Sequence, residues 1–474
     1  MKLVLFILVF LFTFILRTHN FDKVPGEGHL EEHLFGWAGI YLIEEGVPVS
    51  WSALDYPKKN QVYLGPKSLN GGPPIQSVTL YKPWLDEPPL YSLISGGAAH
   101  LYGADKNYLL PASYIRAPAI IFAALTSILI FLIAKILSGY WMGILSLLIY
   151  GVTPIFVFSS RLSVPENLIA LLFTLAVYLI IKFNETKNIA YLLIVPLLAG
   201  LGGLAKPTGY FITFFAMYFA FAQKKPKLFF YLFLATIPFV IIFILYGFYF
   251  DKDIFLKIVS IQGSRPAGFS GLAFLLQTPA YDIFTFFDGW FVFCLLFSIY
   301  FLINPPEGLK KVVPFAFLYW VVIVLLSGGE QDLLPWYRYP IYPMMAIMGA
   351  WGIQVIFNKI TFFKSVLLVG LLLATRYYLI NPFRSGIPSN TFRVLFSLLT
   401  LPSLFYELYR KEFLEKICKI ILVVVIVVGV YFNSIYIYNQ FEIVCESLSC
   451  PIGPSTSLST IHFPFIWRFF VLKP

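Results

Sequence analysis

Runs of about 20 apolar residues recur along this chain from residue 113 almost to its C-terminal end, and they dictate its class. Each run, as a helix, is about long enough to cross a hydrocarbon core of roughly 30 Å. The pattern predicts spans at roughly 113–137, 141–159, 166–182, 189–205, 207–222, 228–250, 282–303, 312–327, 339–357, 363–381, 392–409 and 418–437. A first apolar segment, Leu3 to Leu16, precedes them. The expected fold is therefore an all-α polytopic membrane protein of about 11–13 transmembrane helices. Composition agrees: 59% of residues are hydrophobic and the mean hydropathy is +0.80, far above a soluble globular chain.

The segment Leu3–Leu16 has the length of a signal-peptide core. It is followed by "RTHNFDKVPGEG" and not by a small-x-small cleavage site, so it is expected to stay as an anchor with its start in the cytoplasm. Residues 17–112 are rich in Pro, Gly, Tyr and charge and form a large non-membrane first loop. The expected division is a core over 1–360, including that loop, and C-terminal helices with a tail over 361–474.

A net charge of +10 would suggest nucleic acid in a soluble protein. Here the basic residues fall in short alternate loops: Lys135, "KFNETK", "QKKPK", "LKK", "NKITFFK" and "YRKEFLEKICK". All share a side with Lys2, which the positive-inside rule makes cytoplasmic. Topology explains the charge, and no nucleic-acid partner is predicted. The opposite, extracytoplasmic side receives the 17–112 loop, "SSRLSVPEN", "AKPTG", the 251–281 stretch, "GGEQDLLPWYRY", "NPFRSG" and the tail. Cys294 and Cys418 read as packing residues. Cys445 and Cys450, in the outer tail's "CESLSC", leave a short-loop disulfide and two free thiols equally open.

Only 12% of the chain is charged, yet five outer-side features hold ionisable residues near helix ends. They are "HLEEH" (His29, Glu31, Glu32, His33), "WLDEPPLY" (Asp86, Glu87), "SSRLSVPEN" (Arg161, Glu166), "LAKPTG" (Lys206) and "PWYRYPIYP" (Arg338, Tyr339). An ionised group toward the bilayer centre costs at least roughly 2.5–3.5 kcal/mol, so such groups persist where a site needs them or where they can snorkel to water. All five on one face point to a polar cavity opening outward.

"HLEEH" formally matches H-x-x-E-H, in which two histidines one turn apart bind zinc and the glutamate activates water. That chemistry needs a further acidic ligand and an α/β setting, neither of which the sequence supplies. Zinc proteolysis is set aside. A divalent metal held by His29 and His33 in another role stays open beside a metal-free site. A multi-pass transporter of a lipid-linked or anionic substrate is the rival reading, since buried charges and proline-broken helices also mark transport pathways. The large loop after the first helix favours a chain that processes its substrate on that face.

In order, these motifs resemble those of the GT-C membrane glycosyltransferases, especially the protein O-mannosyltransferases and the aminoarabinose transferases of lipid A. The family's acidic pair after the first helix, with a glycine fifteen residues beyond the first acid, is matched by Glu31, Glu32 and Gly46, with Phe35 at an aromatic position. "DEPPLYSLISGGAAHLYG" is similar to the P-P-L-Y block, with Glu87 where many relatives carry Lys or His. "YIRAPAIIFAAL" supplies Arg116, "SSRLSVPEN" supplies Arg161 and the second acid Glu166, "GLGGLAKPTGYF" supplies Lys206, and "YRYPIYP" supplies Arg338 and Tyr339.

The resemblance implies a polyprenyl-phosphate-linked sugar donor, a lipid, glycan or protein acceptor, and inverting transfer at the outer membrane face. It implies Glu31 as base, with Glu32 or Glu166 orienting substrate or holding Glu31. Arg338, Tyr339, Lys206, Arg161 and Arg116 would lie near the donor phosphate. Asp86 and Glu87 would border the cleft.

Overall fold

The structure, a computed structural model, describes residues 1–25, 30–62, 79–107, 110–265, 288–305, 311–327, 335–374 and 388–439. His29, Cys445 and Cys450 lie outside them. Helices α1 (Lys2–Thr18), α2 (Leu30–Glu45), α3 (Pro89–Leu101) and α4 (Ala112–Ser138) open the chain. The centre comprises α5 (Tyr140–Val152), α6 (Pro154–Ser159), α7 (Pro165–Thr186), α8 (Ala190–Leu193), α9 (Val195–Ala205), α10 (Phe211–Ala222) and α11 (Pro226–Gly263). The remaining helices are α12 (Gly289–Ile303), α13 (Val312–Ser327), α14 (Tyr342–Asn358), α15 (Phe362–Val369), α16 (Ser389–Tyr409) and α17 (Glu412–Asn439).

The all-α polytopic class holds. Among the described residues, five helices are long and apolar enough to cross a membrane: Ala112–Ser138, Pro165–Thr186, Pro226–Gly263, Trp336–Asn358 and Glu412–Asn439. Shorter apolar helices, such as α5 and α13, accompany them. In lipid a chain must satisfy its own backbone groups, which is why these runs are helical. Proline divides several of the expected spans. Pro154 has no N–H to continue α5, so Thr153 turns extended (ψ 114°) and α6 begins anew. Lys206 is likewise extended (φ −159°, ψ 141°), between α9 and a 3₁₀ turn over Pro207–Tyr210.

The first loop is more ordered than its composition suggests. It contains α2, α3 and a two-residue antiparallel ribbon, β1 (Gln61–Val62) with β2 (Leu80–Tyr81). Two glycines let α2 and α3 pack backbone to backbone: a Cβ on Gly39 would lie 1.9 Å from the Ser92 carbonyl oxygen. One on Gly96 would meet the Gly39 Cα at 2.5 Å. Phe35 fills the space beside them, edge-on to Tyr91 at 5.2 Å. Gly46, at φ +71°, ends α2 in the left-handed conformation that other residues adopt at a cost, which gives the acid-to-glycine spacing a physical reason.

Helix α11 ties this loop down. Its helical dihedrals break at Asp251 (φ −165°, ψ 103°), whose carboxylate accepts from the N–H groups of Asp253 (3.1 Å) and Ile254 (3.0 Å). The second half then packs Ile254, Phe255 and Ile258 against Tyr56 and Leu85. Lys257 pairs with Asp55 at 3.0 Å on the surface. The core of the bundle runs along α7 and α14, most of whose side chains are buried, while α11 and α17 expose most of theirs.

Candidate active site

Successive residues on a helix point about 100° apart, and the acidic pair at the start of α2 is divided accordingly. Glu32 turns inward and is buried with Arg116 of α4. Arg116 donates from Nε to Oε1 (2.8 Å) and from Nη2 to Oε2 (2.6 Å), a bidentate fork. The Ser163 N–H adds a third bond to Oε1 at 2.7 Å. The other Arg116 nitrogen, Nη1, reaches the carbonyls of Phe21 (2.9 Å) and Pro25 (2.6 Å). This pair holds together the segment after α1, α2, α4 and the turn before α7.

Glu31 turns to a different set of groups. Lys206, Glu166, Asp86 and Arg265 make up its electrostatic surroundings. Lys206 Nζ donates to Glu166 Oε1 at 2.6 Å, lies 4.0 Å from Glu87 Oε1, and sits 4.2 Å from the centre of the Tyr337 ring. Glu166 follows Pro165 in the first turn of α7, where the helix dipole favours a negative charge. Glu166 Oε2 and Glu87 Oε2 are buried and accept no hydrogen bond from the described residues. Asp86 accepts from Ser52 Oγ (2.5 Å) and Tyr56 Oη (2.7 Å), and Gln262 of α11 binds its carbonyl at 2.7 Å. A cavity of about 300 Å³ adjoins this cluster, with Asp86, Glu87, Lys206, Tyr337, Gln262 and Arg265 in its wall.

The crowding perturbs the loop carboxyls. Burial pushes Glu31 up to about 7; Lys206 opposes the rise, and Glu166 and Asp86 add to it. Burial raises Asp86 to about 6 against the hydrogen bonds from Ser52 and Tyr56. Glu87 is carried up to about 8, again chiefly by burial, with Lys206 opposing and its acidic neighbours adding. A carboxyl whose folded value lies above its unfolded one holds its proton more tightly when folded. The stability Glu87 contributes is therefore complete below its unfolded value of 4.5 and is lost as pH rises through about 8. Melting temperature in detergent should fall for the wild type between about pH 6 and about pH 9, and fall less for Glu87→Gln, which cannot ionise. Parallel curves would show that Glu87 does not hold the proton.

Residues 86–246 match the family model of dolichyl-phosphate-mannose-protein mannosyltransferases. ArnT from Cupriavidus metallidurans, bound to undecaprenyl phosphate, superposes with a TM-score of 0.54 at 13% identity, over 92% of this chain and 76% of that one. The fold is that of the GT-C membrane glycosyltransferases. The arabinosyltransferase EmbB from Mycobacterium smegmatis gives the same TM-score, 0.54, at 12% identity over 93% of this chain and 41% of its own. The apo form of the same ArnT gives 0.51 at 12% identity, with coverage of 92% and 76%. No curated protein sequence matches the chain.

Within the GT-C fold the remaining expected site residues separate by what they touch. Arg161 donates to three backbone carbonyls at and just beyond the end of α1, Leu16 (2.7 Å), Arg17 (3.0 Å) and Val24 (2.8 Å). It therefore closes the C-terminus of α1. Arg338 and Tyr339 are buried in the 3₁₀ turn before α14. Arg338 lies 5.7 Å from the Phe291 ring centre, and Tyr339 is within electrostatic reach of Arg338, Glu166 and Glu32. From the same motif it is Tyr337 that reaches the cavity wall. His33 is buried and stacks on Trp37 at 5.6 Å. Among the described residues no three His, Cys, Asp or Glu side chains converge as a metal site would require.

Two residues escaped the sequence reading. Arg17 is 1% exposed near the end of α1, bonded to Ser160 Oγ (2.7 Å), Ser127 Oγ (3.3 Å) and the Tyr150 carbonyl (3.1 Å). Arg265 reaches the cavity because α11 continues past Asp251. An arginine at the end of the first apolar segment, and a basic residue in the 251–281 stretch expected outside, were the signals available.

Proposed function

We propose that the chain moves a sugar from a polyprenyl-phosphate donor to a hydroxyl-bearing acceptor on the extracytoplasmic face, inverting the anomeric carbon. The observation that carries this is Glu31, raised to about 7 and within electrostatic reach of Glu166, Asp86 and Lys206, where Lys206 pairs with Glu166 at 2.6 Å and lines one cavity with Asp86 and Glu87. A base tuned close to neutral pH both ionises in part and accepts a proton well, and general-base catalysis contributes ~10²–10⁴-fold. The acceptor oxygen attacks C1 while its proton passes to the Glu31 carboxylate. The C1–O bond to the lipid phosphate breaks, and the phosphate leaves with the electron pair. Lys206, with Arg265 nearby, supplies fixed positive charge where that phosphate gains its own. The buried oxygens of Glu87 and Glu166 suit sugar hydroxyls as hydrogen-bond acceptors. Glu32, Arg116 and Arg161 act through positioning, and Arg338 and Tyr339 support the site from the core.

Two measurements test the reading. Single cysteines at the exposed first-loop positions 59 and 101 should react with a membrane-impermeant thiol reagent from outside, and cysteines at 226 and 414 only after permeabilisation. The anomeric configuration of the product, read by NMR, should be opposite to the donor's. Labelling of 59 and 101 from the cytoplasm, or retention of configuration, would overturn the sidedness or the single displacement respectively.

A further inference from the structure

The described part of the fold has a second, larger cavity at the other end of the bundle. Asn184 follows Glu166 along α7 by eighteen residues, which at helical rise places it roughly 27 Å away, close to a hydrocarbon thickness. There α7, α10, α12 and α13 enclose about 870 Å³, within the roughly 300–1,000 Å³ of ligand pockets. Its walls are mainly apolar and aromatic, with Phe219, Phe301 and Phe315 among them. Tyr218 and Leu318 continue them onto the surface the bundle turns to acyl chains, 49% and 42% exposed.

Among the described residues, no acidic side chain lines this cavity. Lys187 and Lys311 are exposed and line it, as do the amides Asn184 and Gln223, which are bonded to each other. Glu185, the acid on the same turn, is paired with Lys182 at 3.1 Å. Lys225 sits beside the cavity, 4.6 Å from the Phe183 ring centre. Cationic and amide groups above an apolar, laterally continuous hollow complement a ligand with an anionic head and a hydrocarbon body.

We propose that this cavity binds an anionic phospholipid, its phosphate between Lys187 and Lys311 and the upper part of an acyl chain against Phe219 and Phe315. A free anion would use the lysines and leave the aromatic walls uncovered, so the occupant is a lipid. Lys187 and Lys311 belong to loops that the charge pattern assigns to one membrane side, where anionic headgroups attract about 1 kcal/mol per basic residue. The site is independent of the transfer reaction and does not rest on it.

Native mass spectrometry of the purified full chain in mixed micelles of phosphatidylglycerol and phosphatidylcholine tests the proposal. The wild type should retain phosphatidylglycerol in preference to phosphatidylcholine. Removing one lysine should weaken that retention roughly five-fold, and Lys187→Gln with Lys311→Gln roughly 30-fold. Ala222→Phe, at an exposed lining position, should also lower retention by filling the hollow without changing charge. Lys135→Gln with Lys359→Gln removes the same charge from exposed positions that do not line the cavity and should leave retention as it was. Equal retention of both lipids, an unaffected lysine double variant, or an equal loss in the control pair would overturn the assignment. Displacement of phosphatidylglycerol by excess inorganic phosphate would identify a plain anion site and overturn the lipid.

Discussion

Glu31→Gln should lower turnover by roughly 10²–10⁴-fold while the protein still binds the proposed polyprenyl-phosphate donor. Glutamine keeps the size and hydrogen-bonding shape of the side chain and removes its ability to take a proton. In the proposed arrangement the donor phosphate lies at Lys206 and Arg265, so binding should change little. The wild-type rate should climb as pH rises through about 7, because only the ionised carboxylate is a base and burial among Glu166 and Asp86 delays its ionisation to that range. The sign separates base from acid: a catalytic carboxylic acid at the same position would lose activity over the same rise. Stopped assays of rate against pH, for wild type and variant, measure both. Near-normal turnover in Glu31→Gln would remove this residue from the chemistry.

The second large effect is on folding. Glu32→Gln leaves the guanidinium of Arg116, 0% exposed, without its counter-charge. Breaking one partner of a buried ion pair costs about 3–5 kcal/mol, whereas replacing both with apolar groups of similar volume is often far milder. Glu32→Gln and Arg116→Ala should each lower the melting temperature in detergent and the folded yield, and Glu32→Leu with Arg116→Met should recover part of the loss. The adjacent acids should thus fail in different ways, Glu31 in rate and Glu32 in stability. A Glu32→Gln protein that melts like the wild type yet is inactive would place Glu32 in the reaction.

The sequence exposed some of this and concealed the rest for physical reasons. Helices α4, α7, α13 and α14 follow from apolar runs bounded by proline and charge, because a membrane span must be both long and greasy. Glu166 and Lys206 stand out as charges at helix ends, and the structure joins them at 2.6 Å. Nothing local distinguishes Arg161 from Lys206, however. What separates them is that carbonyls of Leu16, Arg17 and Val24, some 140 residues earlier, occupy the first. Helices α2 and α3 hid in a loop rich in proline and glycine, since their pairing rests on two small residues, Gly39 and Gly96, far apart in the chain. Arg265 needed the break at Asp251 before its place at the cavity could be known.

The claim that this chain is a transferase and not a carrier is tested most directly by incubating the purified protein, in detergent and without a membrane gradient, with a panel of polyprenyl-phosphate sugars together with hydroxyl-bearing lipid, glycan and peptide acceptors. Mass spectrometry should find free polyprenyl phosphate and displaced sugar for at least one donor, with the Glu31→Gln protein leaving that donor whole. A well-folded wild-type protein that binds these donors and returns every one chemically intact would contradict the account.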